Sequence, residues 1–108
     1  MIFIAVRFTV RPEYRDQWLD RVADFTAATR AEAGNLFFEW SVDTFDPDRF
    51  VLLEAFASGE AGVEHVDSEH FKAAMAWMPD VVAMTPDIIN VETPGQGWSR
   101  MAEITPRE

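Results

Sequence analysis

The sequence predicts an α+β domain in which helices cover one face of a four-stranded antiparallel sheet. Three observations lead there. Residues 2–11 alternate without interruption, with Ile2, Ile4, Val6, Phe8 and Val10 on one side and Phe3, Ala5, Arg7, Thr9 and Arg11 on the other. Two stretches with a helical apolar period each follow a strand. Two apolar segments meet at Asp46-Pro47-Asp48, a turn sequence that joins them as a hairpin.

Taken in order, the first strand stops at Pro12, a residue suited to the entry of a helix. A helix over residues 13–33 follows. Tyr14, Trp18, Val22, Phe25 and Thr29 form its inner stripe, widened by Leu19 and Ala28, and Gly34-Asn35 stops it. Residues 36–44 and 49–57 are the second and third strands. Ser58 caps a short helix with Glu60 in its first turn. Asp67 or Ser68 caps a longer one with Phe71, Met75, Met78 and Val82 inward, which Pro79 kinks or interrupts. Pro86 opens a fourth strand over residues 87–93, and Pro94-Gly95 ends it. The order β-α-β-β-α-β is the ferredoxin-like arrangement. Residues 1–95 form the domain. Residues 96–108 are a polar tail with Trp98 as its one anchor candidate.

Composition narrows the function. The length suits one domain, and nine Phe with four Trp supply ample area to bury. A net charge of −10, with nine scattered Lys and Arg, excludes nucleic acid and anionic membranes as partners. No local Arg or Lys cluster suits a strongly anionic substrate. Without cysteine there are no disulfides, thiol nucleophiles or iron–sulfur clusters, which is compatible with a reducing cytoplasm. Neither a signal peptide nor a membrane span is read.

The strands are apolar on both sides. Phe50, Leu52 and Phe56 face one way, Val51, Leu53 and Ala55 the other, and Phe37 lies opposite Leu36, Phe38, Trp40 and Val42. One layer of helices covers only one sheet face. The second is expected to pack on another copy of the chain, as a two-fold homodimer.

Three blocks carry a family resemblance: Gly34-Asn35-Leu36-Phe37-Phe38-Glu39, Phe50-Val51-Leu52-Leu53-Glu54-Ala55-Phe56, and His65-Val66-Asp67-Ser68-Glu69-His70-Phe71-Lys72. In order and spacing the chain resembles the antibiotic biosynthesis monooxygenase (ABM) domain family over residues 1–91. The resemblance implies a dimeric α+β barrel. It implies oxidation of quinols or polycyclic aromatic polyketides by dioxygen with no metal, flavin or haem. Some members are instead isomerases of small keto compounds. The haem-degrading branch that shares the fold has Trp where His65 stands and a haem-ligating His where Met75 stands, so haem is not expected.

Chemistry is expected from few residues. His65 and His70, the two histidines, are candidate general bases or ligands of a phenolic oxygen, because imidazole exchanges protons near neutral pH. The alternative is a capping or surface role for both. With no clear third ligand, no metal site is assigned. Glu54, on the apolar face of its strand, must be paired, hydrogen-bonded or protonated. It is either an acid/base partner of a histidine or half of a structural pair, with Arg7 or a helix N-terminus. Trp40, Trp77, Phe38, Phe71, Met75 and Met78 could wall a pocket for a flat aromatic or apolar metabolite, or simply pack the core. Asn35 is a candidate donor to a substrate carbonyl, or a turn residue. The activity expected is a cofactor-independent monooxygenase. The alternatives are an isomerase working by proton abstraction and a non-catalytic binding module.

Overall fold

The computed structural model describes residues 1–107. Strand β1 spans Ile2–Thr9, β2 Asn35–Val42, β3 Arg49–Phe56 and β4 Asp87–Glu92. They form one sheet in the order β2-β3-β1-β4, every neighbour antiparallel, which is the ferredoxin-like topology read from the sequence.

The long first helix is segmented. A 3₁₀ turn, Pro12–Gln17, leads into α1 (Trp18–Arg21) and then α2 (Ala23–Arg30). At Val22 the backbone flattens to ψ 0°, although the hydrogen bonds Val22 N–H to Trp18 and Thr26 N–H to Val22 run across the joint. The Thr26 hydroxyl also donates to the Val22 carbonyl at 2.7 Å, a side-chain bond that bends helices. The helix ends at Arg30 rather than at residue 33, because residues 31–34 turn sharply toward β2. Helices α3 (Gly59–Val66) and α4 (Glu69–Trp77) are separate, capped by Ser58 and Ser68, whose hydroxyls accept from the Ala61 and Phe71 amides. Pro79 falls in a 3₁₀ turn, Met78–Asp80, that terminates α4.

The core lies between the helices and one sheet face. Trp18 is its centre, fully buried, with Phe8, Trp40, Phe50 and Trp77 ring centroids 5.3–6.0 Å from its own or from each other. Strand residues Val6, Phe8, Phe38, Phe50 and Leu52 point into it, as their alternation requires.

The opposite face is built of cross-strand rows. Phe37, Ala55, Phe3 and Val91 form one row, and Glu39, Leu53, Ala5 and Ile89 the next. The third, Ser41, Val51, Arg7 and Asp87, is polar at its β4 end, where Arg7 and Asp87 pair at 2.8 Å. Trp98 covers Phe37 at one corner, while Ile89 is 62% and Val91 43% exposed. Among the described residues no helix is long and apolar enough to cross a membrane.

Candidate functional site

A cavity of about 650 Å³ opens over strands β3, β1 and β4. Its floor follows the register. Leu52, Val6 and Ile88 form one row, and Glu54, Ile4 and Asn90 the next, so two polar side chains flank Ile4 at one end. Phe25, His65, Phe71, Met75 and Met78 make the helical wall, and the segment from Pro79 to Pro86 the remaining side. The surface is largely apolar, which suits a hydrophobic ligand fixed by a few polar groups.

His65 stands at the polar end, 4% exposed, near the C-terminus of α3. Phenylalanines enclose its ring: Phe56 at 4.8 Å, Phe71 at 5.2 Å and Phe25 at 5.8 Å between centroids. The break at Asp67-Ser68 places His70, in the first turn of α4, beside it. Between them comes Glu32, from the turn after α2. Its Oε2 accepts from His65 Nδ1 at 2.8 Å and from His70 Nε2 at 2.5 Å. A carboxylate can only accept, so His65 presents Nδ1–H and His70 Nε2–H to Glu32, and in a neutral His65 ring the lone pair lies on Nε2. That Nε2 lies 3.9 Å from Glu54 Oε1.

Glu54 is 5% exposed. Burial, and then the nearby charge of Glu32, push its carboxyl up to about 7 from an ordinary 4.5. The pairing with Arg7 offered as one alternative does not form, because Arg7 lies on the other sheet face with Asp87. Glu54 and His65 thus share one wall of the cavity, and Glu32 with His70 lies behind His65.

The other sequence candidates divide. Phe71 and Met75 line the cavity. Phe38, Trp40 and Trp77 do not, and the expectation that they wall a pocket is corrected. They belong to the aromatic core on the β2–β3 side, where α2 packs down on the sheet, and Trp40 Nε1 donates to Thr26 Oγ1 at 2.9 Å. Asn35 is corrected too. Its amide donates to the carbonyls of Phe37 at 3.0 Å and Ala55 at 3.3 Å, satisfying a β-bulge rather than a ligand. Asn90, not singled out from the sequence, reaches the cavity instead.

Glu32 is the member of this cluster that sequence reasoning missed. It also supplies a third potential metal ligand. Ligating atoms of Glu32, His65 and His70 lie within 4.8 Å of one another, close enough to share one divalent cation if the two N–H protons were given up.

Comparison with known proteins bears on the family and the fold. A model of the family described as "Antibiotic biosynthesis monooxygenase" matches residues 1–77, which include Glu32, Glu54, His65 and His70. A Bacillus subtilis (strain 168) protein named "Putative monooxygenase YcnE" is 25% identical over 92 residues, 85% of this chain and 97% of its own. The fold matches a crystal structure titled as an antibiotic biosynthesis monooxygenase, with a TM-score of 0.80 at 22% identity over 88% of this chain and all of the other. It matches Rv0793 from Mycobacterium tuberculosis equally well, with a TM-score of 0.81 at 21% identity over 90% and 98% of the two chains. With a family model covering most of its length and the fold to accompany it, this chain belongs to the antibiotic biosynthesis monooxygenase family.

Proposed function

We propose that the protein is a cofactor-independent monooxygenase that oxidises a quinol or polycyclic aromatic substrate with dioxygen. The observation that carries this reading is the His65 imidazole, held by Glu32 through Nδ1, with its Nε2 on the wall of an apolar cavity beside a carboxyl raised to about 7.

The chemistry follows from that arrangement. His65 Nε2 takes a proton from a phenol or an acidic ring CH₂, and Glu32 stabilises the resulting imidazolium as it orients the ring. The substrate anion, in a poorly hydrated cavity, is the electron donor to dioxygen. For a ring CH₂ the balance is R₂CH₂ + O₂ → R₂C=O + H₂O. The carbon loses two hydrogens and four electrons, dioxygen accepts all four electrons, and its second oxygen leaves as water. Protonation of that oxygen falls to His65 or to Glu54, which holds its own proton for part of the time at neutral pH. Asn90, on the same floor row as Glu54, is placed to donate to a substrate carbonyl.

A homodimer belongs to this reading. Two apolar rows, Phe37–Ala55–Phe3–Val91 and Leu53–Ala5–Ile89, are the surface we assign to the second copy, bounded by the Arg7–Asp87 pair. The test of function is oxygen uptake with anthrones and 1,4-naphthoquinols, corrected for autoxidation. His65→Ala is expected to lose at least about 100-fold in turnover. Undiminished turnover in that variant overturns the mechanism, and proton exchange without oxygen uptake transfers the same base to an isomerase.

A further inference from the structure

Arg11 stands at the end of the cavity remote from Glu54 and His65, and no step above uses it. It follows β1, whose cavity-facing residues Ile4, Val6 and Phe8 form the floor between the two ends. We infer that Arg11 binds a carboxylate on the substrate, so that the cavity takes a flat aromatic acid with its reacting ring at His65 and its charged end at Arg11.

Three observations support this. The first concerns the guanidinium's partners. Its Nε donates to the Val82 carbonyl at 3.3 Å, and the Arg11 amide to Val81 at 2.9 Å, which fixes the residue at the rim. Among the described residues no carboxylate pairs with it, although the chain has 19 acidic residues and Arg7, Arg15 and Arg49 each have one. Its terminal nitrogens therefore keep the planar, two-pronged donor edge that matches a carboxylate.

The second is its isolation. Among the described residues Arg11 is the only Lys or Arg on the cavity wall, and Glu54 at the opposite end is the only acid there. A single cation suits a singly charged ligand. With a net charge of −10 the chain does not steer anions from a distance, so selection must come from contact at this side chain.

The third is direction. A substrate entering carboxylate-first would set its charge against Glu54 and the Glu32 charge behind His65. The repulsion rejects that orientation, while Arg11 favours the reverse, and the two effects together fix which ring meets the base. The seven residue steps from Ile4 to Arg11 span roughly 23 Å. Side chains reaching inward from both ends shorten this to the length of a two- or three-ring molecule.

This inference rests on the proposed site but not on its chemistry, and a binding experiment separates the two. Anthraquinone-2-carboxylate and anthraquinone-2-carboxamide, equal in size and different in charge, are titrated at pH 7.5 by quenching of tryptophan fluorescence. The carboxylate is expected to bind at least about tenfold more tightly, with the preference reduced by added salt. Arg11→Gln is expected to abolish the preference and Arg11→Lys to retain part of it, with unchanged circular dichroism. Equal affinity of the two probes, a preference that persists in Arg11→Gln, or no binding of either probe overturns the inference. A charge preference without oxygen uptake from any quinol leaves Arg11 in its role and sinks the monooxygenase. Oxidation of neutral quinols without a charge preference does the opposite.

Discussion

Replacing Glu54 with Gln is expected to make the protein more stable in alkaline solution and less active, and the size of the first effect follows from the structure. Glu54 titrates at about 7 in the fold against an ordinary 4.5, because burial first and the Glu32 charge second disfavour its ionised form. Between those pH values the folded protein holds a proton that the unfolded chain has released. The contribution of this one carboxyl to stability therefore falls as pH rises from 4.5 to 7 and is flat on either side. At about 1.4 kcal/mol per pH unit, the interval is worth about 3 kcal/mol. Glutamine keeps the shape and hydrogen-bonding capacity of the protonated carboxyl and never ionises. Glu54→Gln should match the parent near pH 4 and exceed it by about 3 kcal/mol above pH 7.5.

The assay is urea unfolding of both proteins at five pH values from 4 to 8.5. Protein concentration is held fixed, because a dimer's apparent stability depends on it. The difference between the two proteins, not either curve alone, isolates this carboxyl from the other acidic groups. A difference that does not change with pH refutes the reasoning, since it would mean the folded protein holds Glu54 ionised at no cost. Oxygen uptake is measured on the same samples. Greater stability with lower turnover marks an acid held for chemistry, and greater stability with full turnover marks a buried carboxyl without a catalytic task.

Other expectations concern the supports of the site and the subunit contact. Glu32→Gln should lower kcat by about 10-fold or more with little change in KM, since a misoriented His65 affects the reaction more than binding; equal turnover would remove Glu32 from the mechanism. Gly34→Ala should destabilise by about 1–3 kcal/mol, because a Cβ at this position collides with the Ala61 side chain at the start of α3; a thermal melt tests it. Ser68→Ala should cost about 1 kcal/mol through loss of its bonds to the Phe71 amide and the His65 carbonyl. Leu53→Arg, in the centre of the apolar rows, should shift sedimentation from dimer to monomer.

Much of this fold was legible because its signals are local. The alternation of residues 2–11, the Asp46-Pro47-Asp48 turn and the serines that open α3 and α4 each need only a few neighbouring residues to be read. Glu54 was legible for a related reason: a carboxylate on the apolar side of a strand conflicts with its surroundings, and such conflicts mark sites. Glu32 raised no such conflict. In the run Arg30-Ala31-Glu32-Ala33-Gly34 it reads as a solvated helix end. Its role comes from the turn that carries it to two histidines 33 and 38 residues further along.

The misplaced tryptophans have the same origin. Alternation puts Trp40 on the same side of β2 as Phe38, Trp77 flanks the inner stripe of α4, and both pack against the core. What periodicity cannot specify is which half of the sheet the helices press upon. That depends on the strand order β2-β3-β1-β4, which puts α2 over β2 and leaves β3, β1 and β4 to floor the cavity. A pocket in this fold is thus a by-product of uneven helix coverage. Its lining is best sought on the strands that the first helix pair leaves uncovered. Asn90, within β4, and Arg11, which alternation assigned to the other face of β1, are seen to reach the cavity only once that asymmetry is known.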